Sequence, residues 1–482
     1  MNNDQGQQKI SCRWPPFVVL TMLLTLFFLP LLAGWEKFFF DDIAFFFYPQ
    51  QSFLSRALVR GIIPWWNPHL TAGASPFYAH PFQSALAPIN WIFLILGGLD
   101  PVRDYLWLIK LPLTVSYLLS AWFSYLFCRR GLELGRPGSF LFSLAYTLSP
   151  AMIYFSLCPP EVLIQAWLPL FCLCLIRFAK SGRYRWLILG AGAFALVSPS
   201  GDVPVLAHLL FITALFGLTL VIPGLKRKDW KVVWRVAGGG IAFFGIGFLL
   251  AGVYWGNMIS GLRMLGVETG EAVEELSRLA QSMPPLYLVT LFLPDYFGGV
   301  TSHHTWGAAH RMNLTLNDAN LLGGLFLLFL VFAGFLSFPG RKGGDERGRS
   351  LRQYWWGFFA IFIFGVLVIL GRYTPAYGFF RVLIPVLRMP YPVRFRSIEC
   401  FALAGLLGVS VELMARYRPP RLIRPAVIYL LFVLLLAGLA LVSPYSDIRG
   451  NLFSPGFRQL TALGDWPWFI RGPVLYLILG AC

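Results

Sequence analysis

Runs of apolar residues separated by short polar stretches make up most of the chain. Several of them, such as 17–32, 210–225 and 321–338, contain no charged residue. They approach or reach about 18 residues, the length at which an α-helix crosses roughly 30 Å of hydrocarbon. Transmembrane β-strands would instead give segments of about ten residues with alternating polarity, and the sequence has no such series. The pattern predicts an all-α polytopic membrane protein.

The same pattern predicts about 11–12 transmembrane helices in a single transmembrane domain over residues 1–482. The predicted helices are 15–34, 104–127, 138–157, 162–180, 184–199, 203–223, 236–256, 318–338, 354–371, 397–415 and 425–443, with a twelfth starting near residue 469. Composition agrees with this interpretation, because 57% of the residues are hydrophobic and only 13% are charged. Soluble domains carry about 25% charged residues.

The distribution of lysine and arginine predicts the orientation of the chain. A net charge of +17 would suggest nucleic-acid binding in a soluble protein. Here 23 of the 39 basic residues lie before the first predicted helix or in alternate loops between later helices. Because cytoplasmic loops are enriched in basic residues, we expect a multi-pass protein of the cell inner (cytoplasmic) membrane. Its N-terminus would be cytoplasmic, and it would have no nucleic-acid partner.

The longer loops then fall on the outer side of the membrane. They are 35–103, 257–317, 372–396 and 444–468. The first is predicted to contain an amphipathic helix over 49–60, with Phe53 and Leu54 on its apolar face and Gln51 and Ser52 on its polar face. Such a helix is expected to lie in the membrane interface. The apolar segment 85–99 is short for a full crossing, so we expect it at the outer face as well.

Two neighbouring acids, Asp41 and Asp42, follow the first predicted helix between the aromatic runs 38–40 and 45–47. Adjacent carboxylates in an apolar setting repel each other and lose hydration, which favours proton uptake and suits a general base. The alternative is that they form only the polar end of a helix. We favour a catalytic role.

The loop before the tenth predicted helix contains Arg388, Arg394 and Arg396 and two prolines that would stiffen it. A guanidinium group binds phosphate through two parallel hydrogen bonds, so these arginines are candidate phosphate ligands. Contact with anionic lipid headgroups is the alternative. Lys110, about six residues inside the second predicted helix, either extends its amine to the interface or assists the same anion site.

The histidines give weaker signals. His303 and His304 lie in a glycine-rich loop near Asp295, which admits a divalent metal ion as cofactor. Solvated loop histidines are the simpler interpretation, and no cofactor is required by the sequence. His208, one or two turns into the sixth predicted helix, is interpreted as a packing histidine with satisfied nitrogens.

A series of short motifs follows the first predicted helix. They are Asp42, Tyr48-Pro49-Gln50, Arg56-Ala57-Leu58, Gly61-Ile62-Ile63-Pro64-Trp65-Trp66-Asn67-Pro68, Gly73, Pro81-Phe82-Gln83-Ser84 and Pro88-Ile89-Asn90. Weaker matches occur at 201–204, 293–298 and 388–395. Through these motifs the chain resembles the YfhO-like family of bacterial membrane proteins, which belong with the type C (GT-C) glycosyltransferases.

The resemblance implies a GT-C-like bundle and an enzyme. The enzyme would take a sugar from a polyprenyl-phosphate donor and pass it to a cell-envelope glycan or lipid acceptor on the outer face. Asp41 and Asp42 occupy the family's acidic position. The donor phosphate would be held by Arg388, Arg394, Arg396 and Lys110. Sugar or acceptor binding would fall to Asn67, His69, His80, Gln83 and Asp202.

Two other functions stay open at this point: a multi-helix lipid or polysaccharide transporter or flippase, and a noncatalytic membrane scaffold. Coupled transporters often place acids near the middle of the membrane, and the predicted helices have none there, which favours the enzyme. YfhO-like proteins usually continue into further helices. This sequence ends at Cys482, inside an apolar run that begins near Trp468, so a truncated chain is expected.

Overall fold

The computed structural model describes residues 16–35, 42–62, 64, 66–69, 87–156, 158–200, 203–256, 282–292, 321–338, 345–384, 387 and 392–417. These residues form α-helices joined by short turns, without a β-strand among them. The helices are α1 (Pro16–Leu32), α2 (Tyr48–Leu58), α3 (Pro88–Leu99), α4 (Leu111–Leu126), α5 (Arg136–Thr147), α6 (Pro150–Phe155), α7 (Pro159–Ala166), α8 (Leu168–Ser181), α9 (Arg185–Val197), α10 (Val203–Lys226), α11 (Trp230–Leu250), α12 (Leu325–Leu336), α13 (Glu346–Ile369), α14 (Pro375–Leu383) and α15 (Arg396–Tyr417).

Short turns of other helical types extend several of these helices. The π-helical turns are Ile43–Phe47, Leu106–Lys110 and Phe127–Leu132, and the 3-10 turns are Ser198–Ser200, Pro285–Leu291, Gly371–Tyr373 and Pro392–Phe395. Pro112 accounts for the wide turn that precedes α4. A proline nitrogen cannot donate to the carbonyl four residues earlier, and a π-helical turn accommodates its ring.

Seven helical segments of the described chain are long and apolar enough to cross a membrane. They are Leu106–Leu132, Arg136–Phe155, Pro159–Ser181, Val205–Lys226, Trp230–Leu250, Glu346–Ile369 and Pro392–Tyr417. The shorter apolar helices include α1 and α3, and α3 has only 12 residues. The all-α polytopic membrane fold expected from the sequence is confirmed. The predicted helices at 425–443 and near 469 lie outside the described residues.

Two helices begin earlier than the apolar pattern predicts, because capping aspartates extend them through charged turns. The side chain of Asp229 accepts a hydrogen bond from the backbone N–H of Val232 (3.2 Å) at the start of α11. Asp345 accepts one from Gly348 (2.9 Å) at the start of α13. An N-cap aspartate satisfies backbone donors that the first helical turn leaves unpaired. The two helices therefore start about two turns before residues 236 and 354.

Helix α15 lies at the centre of the bundle and is buried from Arg396 to Ser410. It packs against α5, α12 and α13. Glycines let two of these backbones approach closely, since a Cβ atom on Gly138 of α5 would lie 2.5 Å from the carbonyl oxygen of Gly408. Small residues at such contacts are a common means of helix association in membranes.

Helix α2 turns polar residues towards the protein. Gln50, Gln51 and Ser52 are buried, and the Ser55 hydroxyl donates a 2.5 Å hydrogen bond to the Leu94 carbonyl of α3. From the amphipathic pattern alone, the polar face would point to water and the apolar face to the membrane. The structure differs because α3 covers part of the polar face.

The basic loops meet at one end of the bundle, which we call the basic end. It comprises residues 129–136, 180–185, 226–235, 345–352 and Arg416. Lys180 forms an ion pair with Glu133 (2.7 Å), and Arg416 forms one with Asp345 (2.6 Å). The Lys180 hydrogen bond lowers the pKa of the Glu133 carboxyl. The structure thus places together the loops that the sequence assigns to one side of the membrane.

Candidate functional site

The opposite end of the bundle, which we call the polar end, brings together residues far apart in the sequence. It comprises residues 42–48, 104–110, 154–156, 158, 198–200, 205–208, 282–292 and 392–399. Contacts between its segments tie it together. For example, the His208 ring lies 4.1 Å from the ring of Phe395. Most of the described candidate site residues lie here.

Asp42 is exposed and lies at the start of the turn Ile43–Phe47, which continues directly into α2. The thiol of Cys158 donates to its Oδ2 atom, with 3.8 Å between sulfur and oxygen. An exposed carboxylate in this position can accept a proton from an approaching hydroxyl group. Asp41 lies outside the described residues.

Arg396 begins α15 and is 0% exposed. Its guanidinium carbon lies 4.1 Å from the centre of the Tyr154 ring, a cation–π contact. Arg394, two residues earlier, is only partly buried. One arginine of the predicted phosphate site is therefore enclosed by protein, and the other is accessible. Arg388 lies outside the described residues.

Tyr154 and Cys158 connect the predicted acid to the predicted arginines. Tyr154 belongs to α6, which the Ser149 hydroxyl caps by accepting from the Met152 N–H (3.4 Å). Cys158 follows four residues later in the sequence, so Asp42 and Arg396 contact opposite ends of the same short stretch. The structure brings these two side chains to one end of the bundle.

Glu399 lies one helical turn beyond Arg396 and is buried. Its Oε2 atom accepts hydrogen bonds from the Leu322 N–H (3.3 Å) and the Cys400 thiol (3.3 Å). Its Oε1 atom has no hydrogen-bond partner in the part of the chain that the structure describes. Burying a carboxylate is costly unless it is paired, so this acid marks a polar interior at the polar end.

His208 is 1% exposed, and its ring lies 4.1 Å from that of Phe395. Neither ring nitrogen has a hydrogen-bond partner among the described residues. The burial agrees with the packing histidine expected from the sequence. The hydrogen bonds expected for its two nitrogens are not found among the described residues. An imidazole left without partners in an apolar setting is destabilising, which is typical of functional sites.

Lys110 donates a hydrogen bond from its ammonium group to the backbone carbonyl of Leu31 (2.7 Å). The ammonium also lies 5.7 Å from the centre of the Tyr105 ring. These contacts join the end of α1 to the start of α4. Its predicted contribution to phosphate binding stays a prediction.

The predicted sugar-binding residues are only partly described. Asn67 is buried, and its Oδ1 atom accepts from the backbone N–H of His69 (3.0 Å). His69 is exposed, with its ring 6.1 Å from that of Phe53. Their predicted roles are untested. His80, Gln83 and Asp202 lie outside the described residues.

Asp104 is a residue that the sequence reasoning missed. Its carboxylate accepts hydrogen bonds from Tyr48 (2.8 Å) and Ser52 (3.3 Å) and lies 3.7 Å from the Arg56 guanidinium. Burial, and secondarily the bond to Asp104, raises the pKa of the Tyr48 hydroxyl. A signal was available, because these three partners are spaced four residues apart on one face of α2.

A metal site finds no support in the described part of the chain, where no three His, Cys, Asp or Glu side chains cluster. The predicted candidates His303 and His304 lie outside it, with Asp295. The metal therefore stays an untested expectation.

Comparison with solved structures finds similar folds, whereas comparison with sequences finds none. Neither a protein-family profile nor a curated protein matches the chain. The fold is similar to the cryo-EM structure of arabinofuranosyltransferase AftD from Mycobacteria, with a TM-score of 0.48 and 17% sequence identity over 90% of this chain. The chain spans 27% of the length of that protein. A likeness of this strength carries no argument about activity.

Proposed function

We propose that the protein is a membrane glycosyltransferase. It would move a sugar from a polyprenyl-phosphate donor to a glycan or lipid acceptor of the cell envelope. The carrying observation is that Asp42 and Arg396 contact opposite ends of the stretch from Tyr154 to Cys158. A carboxylate base and guanidinium groups near one another are what transfer from a phosphate leaving group requires. The motifs of the YfhO-like family support the same proposal.

The proposed step uses groups at the polar end. The acceptor oxygen bonds to the anomeric carbon of the sugar while the bond from that carbon to the phosphate oxygen breaks. Asp42 takes the hydroxyl proton, and polyprenyl phosphate leaves with the bonding electrons. Arg394, which is accessible, contacts the phosphate, and buried Arg396 adds positive charge behind it. Charge that develops on the leaving phosphate is thereby stabilised.

The sidedness of the proposal follows from the charge distribution. The basic end faces the cytoplasm, because loops rich in lysine and arginine stay on that side. The polar end with Asp42 then faces outwards from the inner membrane, where the lipid-linked donor and the envelope acceptor would meet.

The proposal is tested with purified protein, polyprenyl-phosphate sugars and envelope acceptors. We expect Asp42→Asn to lower transfer by about 100-fold or more, since general-base catalysis contributes about 10²- to 10⁴-fold. The matched control is Asp100→Asn, because Asp100 is another acid near this end, paired with Arg103 at 3.5 Å. Equal activity of the two folded variants would contradict the role of Asp42.

The phosphate site is tested in the same assay. Arg394→Ala should raise the donor KM about tenfold, and Arg394→Lys should do so less, because lysine keeps the charge but not the paired hydrogen bonds. Arg372→Ala is the control, since Arg372 is exposed beside Tyr373.

Donor lipid crossing between leaflets without any sugar transfer would favour the transporter instead. Repeating the transfer assay with a chelator tests the metal.

A further inference from the structure

An open groove of about 330 Å³ lies at the basic end, between α8, α9 and α11. Phe178 and Leu187 line its walls, and Gly238 forms part of its floor. A Cβ atom on Gly238 would meet nothing within 4 Å, whereas one on Gly239 would lie 2.5 Å from the Phe178 ring. The missing side chain of Gly238 therefore keeps the groove open.

The rim of the groove is strongly basic. Residues 177–185 and 226–235 contain nine lysines and arginines and one acid, Asp229. The Asp229 carboxylate caps α11. Lys231 and Arg235 lie at the groove and make no ion pair with the described part of the chain. Among the described residues, these two cations at the mouth of an apolar groove have no carboxylate paired with them.

Aromatic side chains place this mouth at a membrane surface. Trp234 lines the groove and is 72% exposed, and Trp230 and Tyr184 are exposed beside it. Tryptophan and tyrosine concentrate at the level of lipid headgroups. Gly238 lies one helical turn deeper than Trp234, so the groove runs from the headgroup level into the hydrocarbon layer.

We propose that this groove is a binding site for an acidic phospholipid of the surrounding leaflet. Its phosphate group contacts Lys231 and Arg235, and one acyl chain lies over Gly238 between Phe178 and Leu187. An anionic head joined to a hydrocarbon chain matches the basic mouth and the apolar floor together. The site is separate from the polar end, and it stands whether or not the proposed sugar transfer is correct.

The test measures lipid binding to the full chain in nanodiscs or detergent by native mass spectrometry. Phosphatidylglycerol and phosphatidylcholine with identical acyl chains serve as probes. We expect phosphatidylglycerol to bind at least tenfold more tightly. Replacing both cations, Lys231→Gln with Arg235→Gln, should weaken its binding about tenfold or more. The matched control, Lys226→Gln with Arg227→Gln, removes the same charge from rim residues that do not line the groove and should change binding less than threefold.

A second variant tests the apolar part without changing charge. Gly238→Leu projects into open space, so the bundle should fold, and it should weaken phosphatidylglycerol binding about tenfold by filling the groove. Equal binding of the two lipids, equal loss in both double variants, or an unaffected Gly238→Leu would each overturn the proposal. Displacement of bound phosphatidylglycerol by inorganic phosphate alone would also overturn the proposal. If the protein is a dimer that Gly238→Leu dissociates, and if it shows no lipid preference, the groove would instead be the binding site of a second copy of the chain.

Discussion

The basic end and the polar end differ in how their acidic groups are paired. At the basic end, Lys180 pairs with Glu133, Arg416 pairs with Asp345, and the backbone N–H of Gly135 donates to Glu412 (2.6 Å). At the polar end, buried Glu399 and His208 keep polar atoms without hydrogen-bond partners among the described residues. Proteins satisfy polar groups where stability alone matters and leave such exceptions mainly at functional sites. The difference favours the polar end as the place of the proposed chemistry.

The largest expected effect tests the close packing of α5 against α15, next to the basic end. Gly138→Ala places a methyl group 2.5 Å from the Gly408 carbonyl oxygen, and backbone cannot move aside as a side chain can. We expect a loss of about 1–3 kcal/mol in unfolding free energy, the usual cost of overpacking. Thermal unfolding in detergent measures it.

The control for that variant is Gly192→Ala in α9, where a new Cβ would meet nothing within 4 Å. Alanine favours a helix over glycine by about 1 kcal/mol, so this change should stabilise the protein slightly. If both variants shift the melting temperature in the same direction, α5 and α15 are not packed as tightly as described.

A smaller effect is expected from His208→Leu at the polar end. Leucine removes two buried nitrogens that lack partners among the described residues, so we expect a gain of roughly 1 kcal/mol in stability. If His208 serves the site, sugar transfer should fall at the same time. Thermal unfolding and the transfer assay report the two quantities separately.

Thr213→Val on the same helix provides the comparison for His208, because the Thr213 hydroxyl donates to the Leu209 carbonyl (2.8 Å). It should give no gain in stability. A His208→Leu variant that unfolds more easily than Thr213→Val would contradict the contrast between the two ends, since the imidazole would then be stabilising.

The smallest effect is a pH dependence at the basic end. The Tyr417 hydroxyl, together with Gly348 and Arg416, lowers the pKa of the Asp345 carboxyl to about 2. A carboxyl whose pKa is lowered by folding stabilises the protein above its ordinary pKa of about 4. That contribution is lost as the pH falls from about 5 to 2.

Asp345→Asn should therefore flatten the acid side of a plot of melting temperature against pH, by a small amount because the pair is exposed and screened by solvent. Asp100→Asn, which alters an acid at the other end, should leave that acid limb unchanged. If the melting temperatures of wild type and Asp345→Asn fall equally as the pH is lowered, this pairing does not stabilise the protein.

Apolar patterning predicted most of the described bundle, because membrane-crossing length and basic loops are local properties of the sequence. It misplaced the starts of α11 and α13, where single capping aspartates extend a helix through residues that look like loop. It also oriented α2 incompletely, since the cover supplied by α3 depends on a contact between distant segments. Such contacts are invisible to local periodicity.

The candidate site shows the same division. The acid and the arginines are predicted from residue type and position alone. The burial of Arg396 against Tyr154 joins residues more than 200 positions apart, and no spacing rule reports it. The roles of Asp42, Arg394 and the other site residues stay predictions until the transfer assay is done.

The three contacts that Asp104 makes with Tyr48, Ser52 and Arg56 prevent α2 from rotating about its own axis. Asp42 lies on the same helical run, so we expect a residue 62 positions later in the sequence to help fix the direction of its carboxylate. A substitution at Asp104 would therefore resemble damage to the site itself. A screen for inactive variants would find Asp104 as well as Asp42, although Asp104 does not need to contact a substrate.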